Sequence, residues 1–126
     1  MSPAALVAVA LIGLVVAFQI GLVMGAPWGA AAWGGSHPGR LPGRLRLASL
    51  SSIVILAVFG WVVLARDGSV SGSPLSDPVV GVLAWVVAGY FLLGTTANAA
   101  SRSRPERWWA PVSLGIAVAA AIVAAG

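Results

Sequence analysis

Residues 4–26, AALVAVALIGLVVAFQIGLVMGA, decide the fold class of this chain. The stretch contains no charged residue, and Gln19 is its only strongly polar side chain. A helix needs about 20 mostly apolar residues to cross the hydrocarbon core of a bilayer. No basic segment precedes this apolar run, which is also longer than the core of a cleaved signal peptide. We therefore expect a retained membrane-spanning helix.

Three further apolar stretches follow, at residues 48–65, 79–97 and 109–125. Of the 126 residues, 60% are apolar and 8% are charged, whereas about one-quarter of the residues in a soluble domain are charged. A chain of this length is expected to form one domain. The sequence therefore predicts an all-α fold: a single integral membrane domain, residues 1–126, built as a four-helix bundle.

The three connecting segments, named loops one, two and three in chain order, predict the orientation of the bundle. All seven basic side chains are arginines, and only Arg66 lies in loop two. The other six lie in loops one and three: Arg40, Arg44, Arg46, Arg102, Arg104 and Arg107. Because arginine-rich loops stay in the cytoplasm, we expect multi-pass insertion in a cell membrane with loops one and three inside. The net charge of +4 then reflects membrane-flanking arginines, and no nucleic-acid partner is expected.

Loop one is unusually long, since about twenty residues separate the first two apolar stretches and helix connections usually have a few. It contains six glycines, counting Gly25, and three prolines, yet it is apolar and includes Trp28 and Trp33. We expect it to pack back against the bundle, because irregular backbone at membrane depth must be covered by protein or line a cavity. His37, the only histidine, is interpreted as a solvated loop residue.

Loop three carries the second group of candidate functional residues. Asn98 and Arg102 are four residues apart and are expected to share a helix face. Glu106 lies near the start of the fourth helix, where the helix dipole favours a carboxylate. Its structural interpretation is an ion pair with Arg102 or Arg46, and the alternative is a catalytic acid. Trp108 and Trp109 follow after Arg107 and fit an interfacial aromatic belt.

Gln19 is the most polar group deep inside an apolar stretch. Two roles are open for it: binding a ligand, or hydrogen bonding to Ser49, Ser51, Ser52 or nearby backbone. No charged residue lies within the four stretches, whereas a proton-coupled exporter needs an ionisable group in the membrane. The small multidrug exporters, four-span chains of this size, carry such a glutamate in their first helix. Proton-exchange export is therefore disfavoured.

The absence of cysteine excludes disulfides and thiol catalysis. With one histidine and no carboxylate within the apolar stretches, we expect no metal site and no cofactor.

Loops one and three contain a set of short motifs: Gly-Ala-Pro-Trp-Gly at 25–29, Trp-Gly-Gly at 33–35, Leu41-Pro42 followed by Arg44 and Arg46, Asn98 with Ser-Arg-Ser at 101–103, and Glu106-Arg107. This set resembles a family of small four-helix bacterial membrane proteins and is similar to small membrane-bound terpene cyclases of drimentine-type pathways. The motifs cover the two arginine-rich loops, about one-third of the chain. The resemblance implies an isoprenoid substrate and cyclisation started by protonation. No catalytic residue of that family is carried over.

Cyclisation of a polyprenyl chain requires an acid and a dry, apolar cavity with aromatic faces that stabilise carbocations. Glu106 is the best acid among the three carboxylates of the chain. The remaining predicted site residues would bind substrate: Gln19, Trp28, Trp33, Asn98, Arg102, Arg104, Trp108 and Trp109.

Two other functions remain open. One is a non-enzymatic subunit that binds lipids or a partner, since arginines at the membrane boundary attract anionic headgroups by about 1 kcal/mol each. The other is a small permease, for which a homo-oligomer is expected.

Overall fold

Four long helical segments make up most of the protein, and there is no β-strand. The computed structural model describes all 126 residues. Its helices are α1 (Pro3–Val23), α2 (Gly43–Asp67), α3 (Asp77–Ala99), α4 (Arg104–Arg107) and α5 (Trp109–Ala125), and loop one contains two short 3₁₀ turns, Gly29–Ala31 and Trp33–Gly35. Helices α4 and α5 adjoin at Trp108 and together form the fourth long segment, Arg104–Ala125. The prediction of an all-α fold is confirmed, and all four segments are long and apolar enough to cross a membrane.

The ends of the helices differ from the predicted stretches by a few residues. Helix α1 ends at Val23 instead of residue 26, because Gly25 adopts a left-handed conformation with φ of +92°. Helix α2 begins at Gly43 instead of residue 48, so that Arg44 and Arg46 belong to its first two turns. Hydropathy detects the apolar part of a helix, whereas the hydrogen-bonded turns continue into polar sequence. For the same reason the fourth helical segment begins at Arg104 and includes Glu106, which precedes the predicted apolar stretch 109–125.

The long helices pack in the cyclic order α1, α2, α3, α5, with α3 against α5 and α1 against both α2 and α5. Small residues let α5 approach its neighbours closely, as is usual for helices in lipid. Ala117 and Ala119 are buried, and a Cβ atom added to Gly115 would lie 2.9 Å from Leu11 Cδ1. The core consists mainly of aliphatic side chains with one aromatic ring, including Ile12, Leu56, Val63, Val87, Phe91 and Ile116.

Polar contacts tie the helix ends together at the end of the bundle that carries both termini. The backbone N–H and the hydroxyl of Ser2 donate to the Asp67 carboxylate at 3.1 and 2.5 Å. Arg66 donates from Nε and Nη2 to the Ala124 carbonyl oxygen at 3.2 and 2.9 Å. A cation at a helix C-terminus is electrostatically favourable. Loops one and three, with the other six arginines, lie at the opposite end.

Candidate functional site

Loop one folds over the end of the bundle and crosses itself at Gly29. The N–H of Gly29 donates to the Gly39 carbonyl at 2.8 Å. A Cβ atom at Gly29 would lie 1.9 Å from the His37 carbonyl oxygen, so only glycine fits at this crossing. Beneath it, Leu22 of α1 and Leu41 of the loop are buried in a small apolar cluster. Loop one is thus packed against the bundle and covers its end.

Three consecutive residues of loop one, Trp33, Gly34 and Gly35, adopt positive φ angles of 50°, 77° and 74°. Glycine adopts such angles freely, but Trp33 is in a region that non-glycine residues rarely occupy. The Trp33 indole N–H donates to the fully buried hydroxyl of Ser49 at 3.0 Å. The Gly34 N–H donates to Glu106 Oε2 at 2.9 Å. Strained backbone of this kind is concentrated at functional sites.

Loops one and three are in direct contact above the bundle. The Ser103 hydroxyl donates to the carbonyl oxygen of Ala30. Gly35 also lies against Ser103, since a Cβ atom added to it would be 2.4 Å from the Ser103 Cβ. This contact, together with the hydrogen bond between Gly34 and Glu106, forms a roof from both loops.

Glu106 lies beneath this roof with only 9% of its surface exposed, and its hydrogen-bond donor is backbone. The expected ion pair with Arg102 or Arg46 is wrong. Arg46 Nε donates instead to the Val23 carbonyl oxygen at 2.9 Å. Arg102 lies beyond the end of α3 and is exposed, so the expectation that it shares a helix face with Asn98 is also wrong. Glu106 is therefore a buried carboxylate without a cationic partner.

A cavity of about 460 Å³ lies under the roof and between the four long segments. This volume is in the range of about 300–1,000 Å³ that small-molecule sites occupy. Most of the lining is apolar, and a few polar side chains converge on it: Gln19, Trp33, Ser52, Tyr90, Asn98, Glu106 and Ser113. Asn98 Nδ2 donates to the Ser113 hydroxyl at 3.1 Å. The site thus combines an apolar volume with few fixed polar groups.

Gln19 Oε1 is buried and has no hydrogen-bond partner. The serines expected to bind it are engaged elsewhere. Ser49 accepts the hydrogen bond of Trp33, and the hydroxyls of Ser51 and Ser52 donate to carbonyls of their own helix. Of the two roles left open for Gln19, a hydrogen bond from a serine or nearby backbone to Oε1 is therefore not observed, and ligand binding remains.

Aromatic rings form one wall and the far end of the cavity. Phe18 of α1 packs on Trp109 with ring centroids 4.7 Å apart. Phe59 of α2 packs edge-on against Tyr90 and Phe91 of α3, at 5.0 and 6.1 Å. This cluster joins α2 to α3 on the side of the cavity away from the loops.

The cavity reaches the outer surface of the bundle alongside α3. Tyr90 and Leu93 both line it, yet 49% and 74% of their surfaces are exposed. On the side of α2, the half-buried Ser52 also lines the cavity. The opening therefore faces sideways, between two helices whose outer surfaces are apolar.

Five of the nine predicted site residues line the cavity: Gln19, Trp33, Asn98, Glu106 and Trp109. The other four do not. Trp28 stacks on Phe18 at 5.9 Å and lies over Gly21, outside the cavity, and Trp108 is 74% exposed. Arg102 and Arg104 are exposed at the surface.

Sequence reasoning missed Phe18 and Ser113, and the predicted site did not include Tyr90, although all three residues line the cavity. Helical spacing offered a signal for two of them. Ser113 is one turn after Trp109, and Tyr90 is two turns before Asn98 on the same face of α3.

No group of three or more His, Cys, Asp or Glu side chains lies close enough to hold a metal ion. The His37 ring is near the Ser36 hydroxyl and the Arg44 guanidinium, outside the cavity. Comparison of the chain with protein-family models, with curated proteins and with solved structures found no match.

Proposed function

We propose that this chain is an integral protein of a cell membrane, a four-helix bundle with loops one and three in the cytoplasm. Large apolar side chains point outward along every long segment, among them Leu14, Val58, Leu93 and Val118. Continuous apolar surface of this extent on a monomer requires an apolar environment or partner. The six arginines at one end of the bundle support the orientation through the positive-inside rule.

Single cysteines test this topology cleanly, because the chain has none of its own. Ser36 in loop one and Ser71 in loop two are both exposed. In intact cells a membrane-impermeant maleimide is expected to label Ser71→Cys and to spare Ser36→Cys until the membrane is opened. The reverse pattern would refute the orientation. Labelling of both cysteines from one side would refute the four-span arrangement.

The cavity binds an isoprenoid- or lipid-like molecule, and the chain acts as a membrane-bound terpene cyclase. The observation that carries this proposal is Glu106, a buried carboxyl group without a cationic partner at the wall of an apolar, aromatic cavity. Oε2 is held by the Gly34 N–H, and Oε1 has no hydrogen-bond partner. The protonated form can therefore present its O–H to a ligand.

Cyclisation would proceed by proton transfer and carbon–carbon bond formation. The Glu106 O–H bond breaks as its proton joins an alkene carbon, which leaves a carbocation at the neighbouring carbon. The electron pair of a second alkene attacks this carbon and closes a ring. The final cation loses a proton to the Glu106 carboxylate, which restores the acid. The faces of Trp33, Trp109 and Phe18 would stabilise the cations.

A non-enzymatic subunit that binds lipids or a partner is the second candidate, favoured by the sideways opening between α2 and α3. In a bilayer this opening would let a lipid chain enter from the side, while the exposed Arg102 and Arg104 would attract anionic headgroups. A small permease has less support, because the cluster of Phe59, Tyr90 and Phe91 packs across the end of the cavity away from the loops.

Filling the cavity tests whether it is the site. Gly94 lines the cavity, and a Cβ atom added to it would have only the Ser113 hydroxyl near it, at 3.9 Å. Gly94→Leu is expected to weaken binding of farnesol, and conversion of a farnesylated substrate by membranes, at least tenfold. Gly89→Leu is the matched control, because Gly89 is an exposed glycine of the same helix with open space around it.

The outcomes separate the candidates. Conversion to a cyclic product that Gly94→Leu abolishes supports the cyclase. Binding without conversion supports the non-enzymatic subunit. Equal binding by both leucine variants would show that the ligand lies elsewhere.

A further inference from the structure

We infer that the molecule in the cavity is neutral and carries a hydroxyl group that donates a hydrogen bond to Gln19 Oε1. The inference deepens the proposed function and rests on it. A buried acceptor without a partner costs about 1–3 kcal/mol, which a ligand donor would recover. Gln19 Oε1 is the only fully buried side-chain nitrogen or oxygen atom in the protein that lacks a hydrogen-bond partner, and Gln19 lines the cavity.

The charges around the cavity decide against an anionic end group. No arginine is among the lining residues, and Glu106 is the only carboxyl group there. Arg102 and Arg104 are exposed and do not line the cavity, and Arg46 is engaged with the Val23 carbonyl. A diphosphate in the cavity would thus meet a carboxyl group and an amide oxygen with no cation to balance its charge. A hydroxyl on an otherwise apolar chain satisfies Gln19 without placing an unbalanced charge in the cavity.

Three probes with the same fifteen-carbon chain separate these possibilities: farnesol, its methyl ether, and farnesyl diphosphate. Farnesol can donate a hydrogen bond, the ether can only accept one, and the diphosphate is an anion. Binding to the full chain in lipid nanodiscs can be followed by tryptophan emission, since Trp33 and Trp109 line the cavity. Farnesol is expected to bind about tenfold more tightly than the ether, and more tightly than the diphosphate.

Replacing the acceptor should abolish this preference. Gln19→Leu keeps a side chain of similar size but cannot accept a hydrogen bond, so farnesol and its ether should bind it equally. Thr96→Val is the control, because the Thr96 hydroxyl is exposed and donates to the Leu92 carbonyl of its own helix. It should keep the preference for farnesol.

The comparison of probes on the unmodified protein decides the inference even if the Gln19 variant does not fold. Equal binding of alcohol and ether, or tighter binding of the diphosphate, would overturn the inference. If Gly94→Leu still blocked that binding, the proposed cavity site would stand. If none of the three probes bound, the proposed function would fall and this inference with it.

Discussion

Glu106→Gln is expected to lower cyclisation at least a hundredfold while the protein stays folded and inserted. General acid catalysis typically contributes about 10²–10⁴-fold to a rate, and an amide cannot donate the proton that starts the reaction. The substitution otherwise changes the shape of the side chain very little. The glutamine oxygen can still accept the Gly34 N–H that Glu106 Oε2 accepts at 2.9 Å, so the roof over the cavity should remain closed. Turnover by membranes that contain equal amounts of each protein is the measurement.

Asp77→Asn is the matched control, since it makes the same chemical change at an exposed carboxylate at the start of α3. Its turnover should equal that of the unmodified chain. Farnesol binding by Glu106→Gln should also persist, because binding requires the cavity and not the proton. Full activity of Glu106→Gln would remove this residue from the mechanism, and equal losses in both variants would point to a general effect of charge.

The four long helical segments were predictable because long runs of apolar residues mark them directly in the sequence. A spanning helix must be long and apolar, and that requirement is visible in residues 4–26 without any tertiary information. The concentration of glycine, tryptophan and arginine in loops one and three also indicated the end of the bundle at which loop structure packs against the helices. The positions of the long helices and the composition of the loops can both be read from the sequence without knowledge of tertiary contacts.

The partners of the polar groups were not predictable in this way. Glu106 binds a backbone N–H that is available only because Trp33, Gly34 and Gly35 all adopt positive φ. Residue preferences argue against that conformation for Trp33, so no local rule would have placed this donor beside Glu106. An ion pair with arginine was the simpler expectation, and it was wrong.

The roles of the two tryptophans of loop one could not be distinguished from the sequence either. Trp28 and Trp33 have similar surroundings in sequence, and both were assigned to the site. Only Trp33 lines the cavity, because its indole reaches Ser49. Trp28 lies instead over Gly21, where a side chain would collide with the ring. Which surface a tryptophan covers depends on where a glycine of another element makes room for it.

Gly29→Ala is expected to open the roof and to weaken both the fold of loop one and ligand binding. The added methyl group would lie 1.9 Å from the His37 carbonyl oxygen and 2.6 Å from that of Gly39. Both atoms are backbone, so the loop itself must move, and overpacking of this kind costs about 1–3 kcal/mol. The hydrogen bond from Gly29 N–H to Gly39 should break. Lower thermal stability and faster tryptic cleavage after Arg40 would measure the opening.

Gly60→Ala separates this steric effect from the general effect of replacing glycine. Gly60 lies inside α2 with open space around it, where alanine favours the helix by about 0.5–1 kcal/mol. It should be as stable as the unmodified protein or more so, and it should bind farnesol normally. In Gly29→Ala, farnesol binding should fall at least tenfold, because the displaced loop no longer holds Trp33 and Gly34 above the cavity. Stability and binding equal to those of Gly60→Ala would show that the site does not depend on the crossing of loop one.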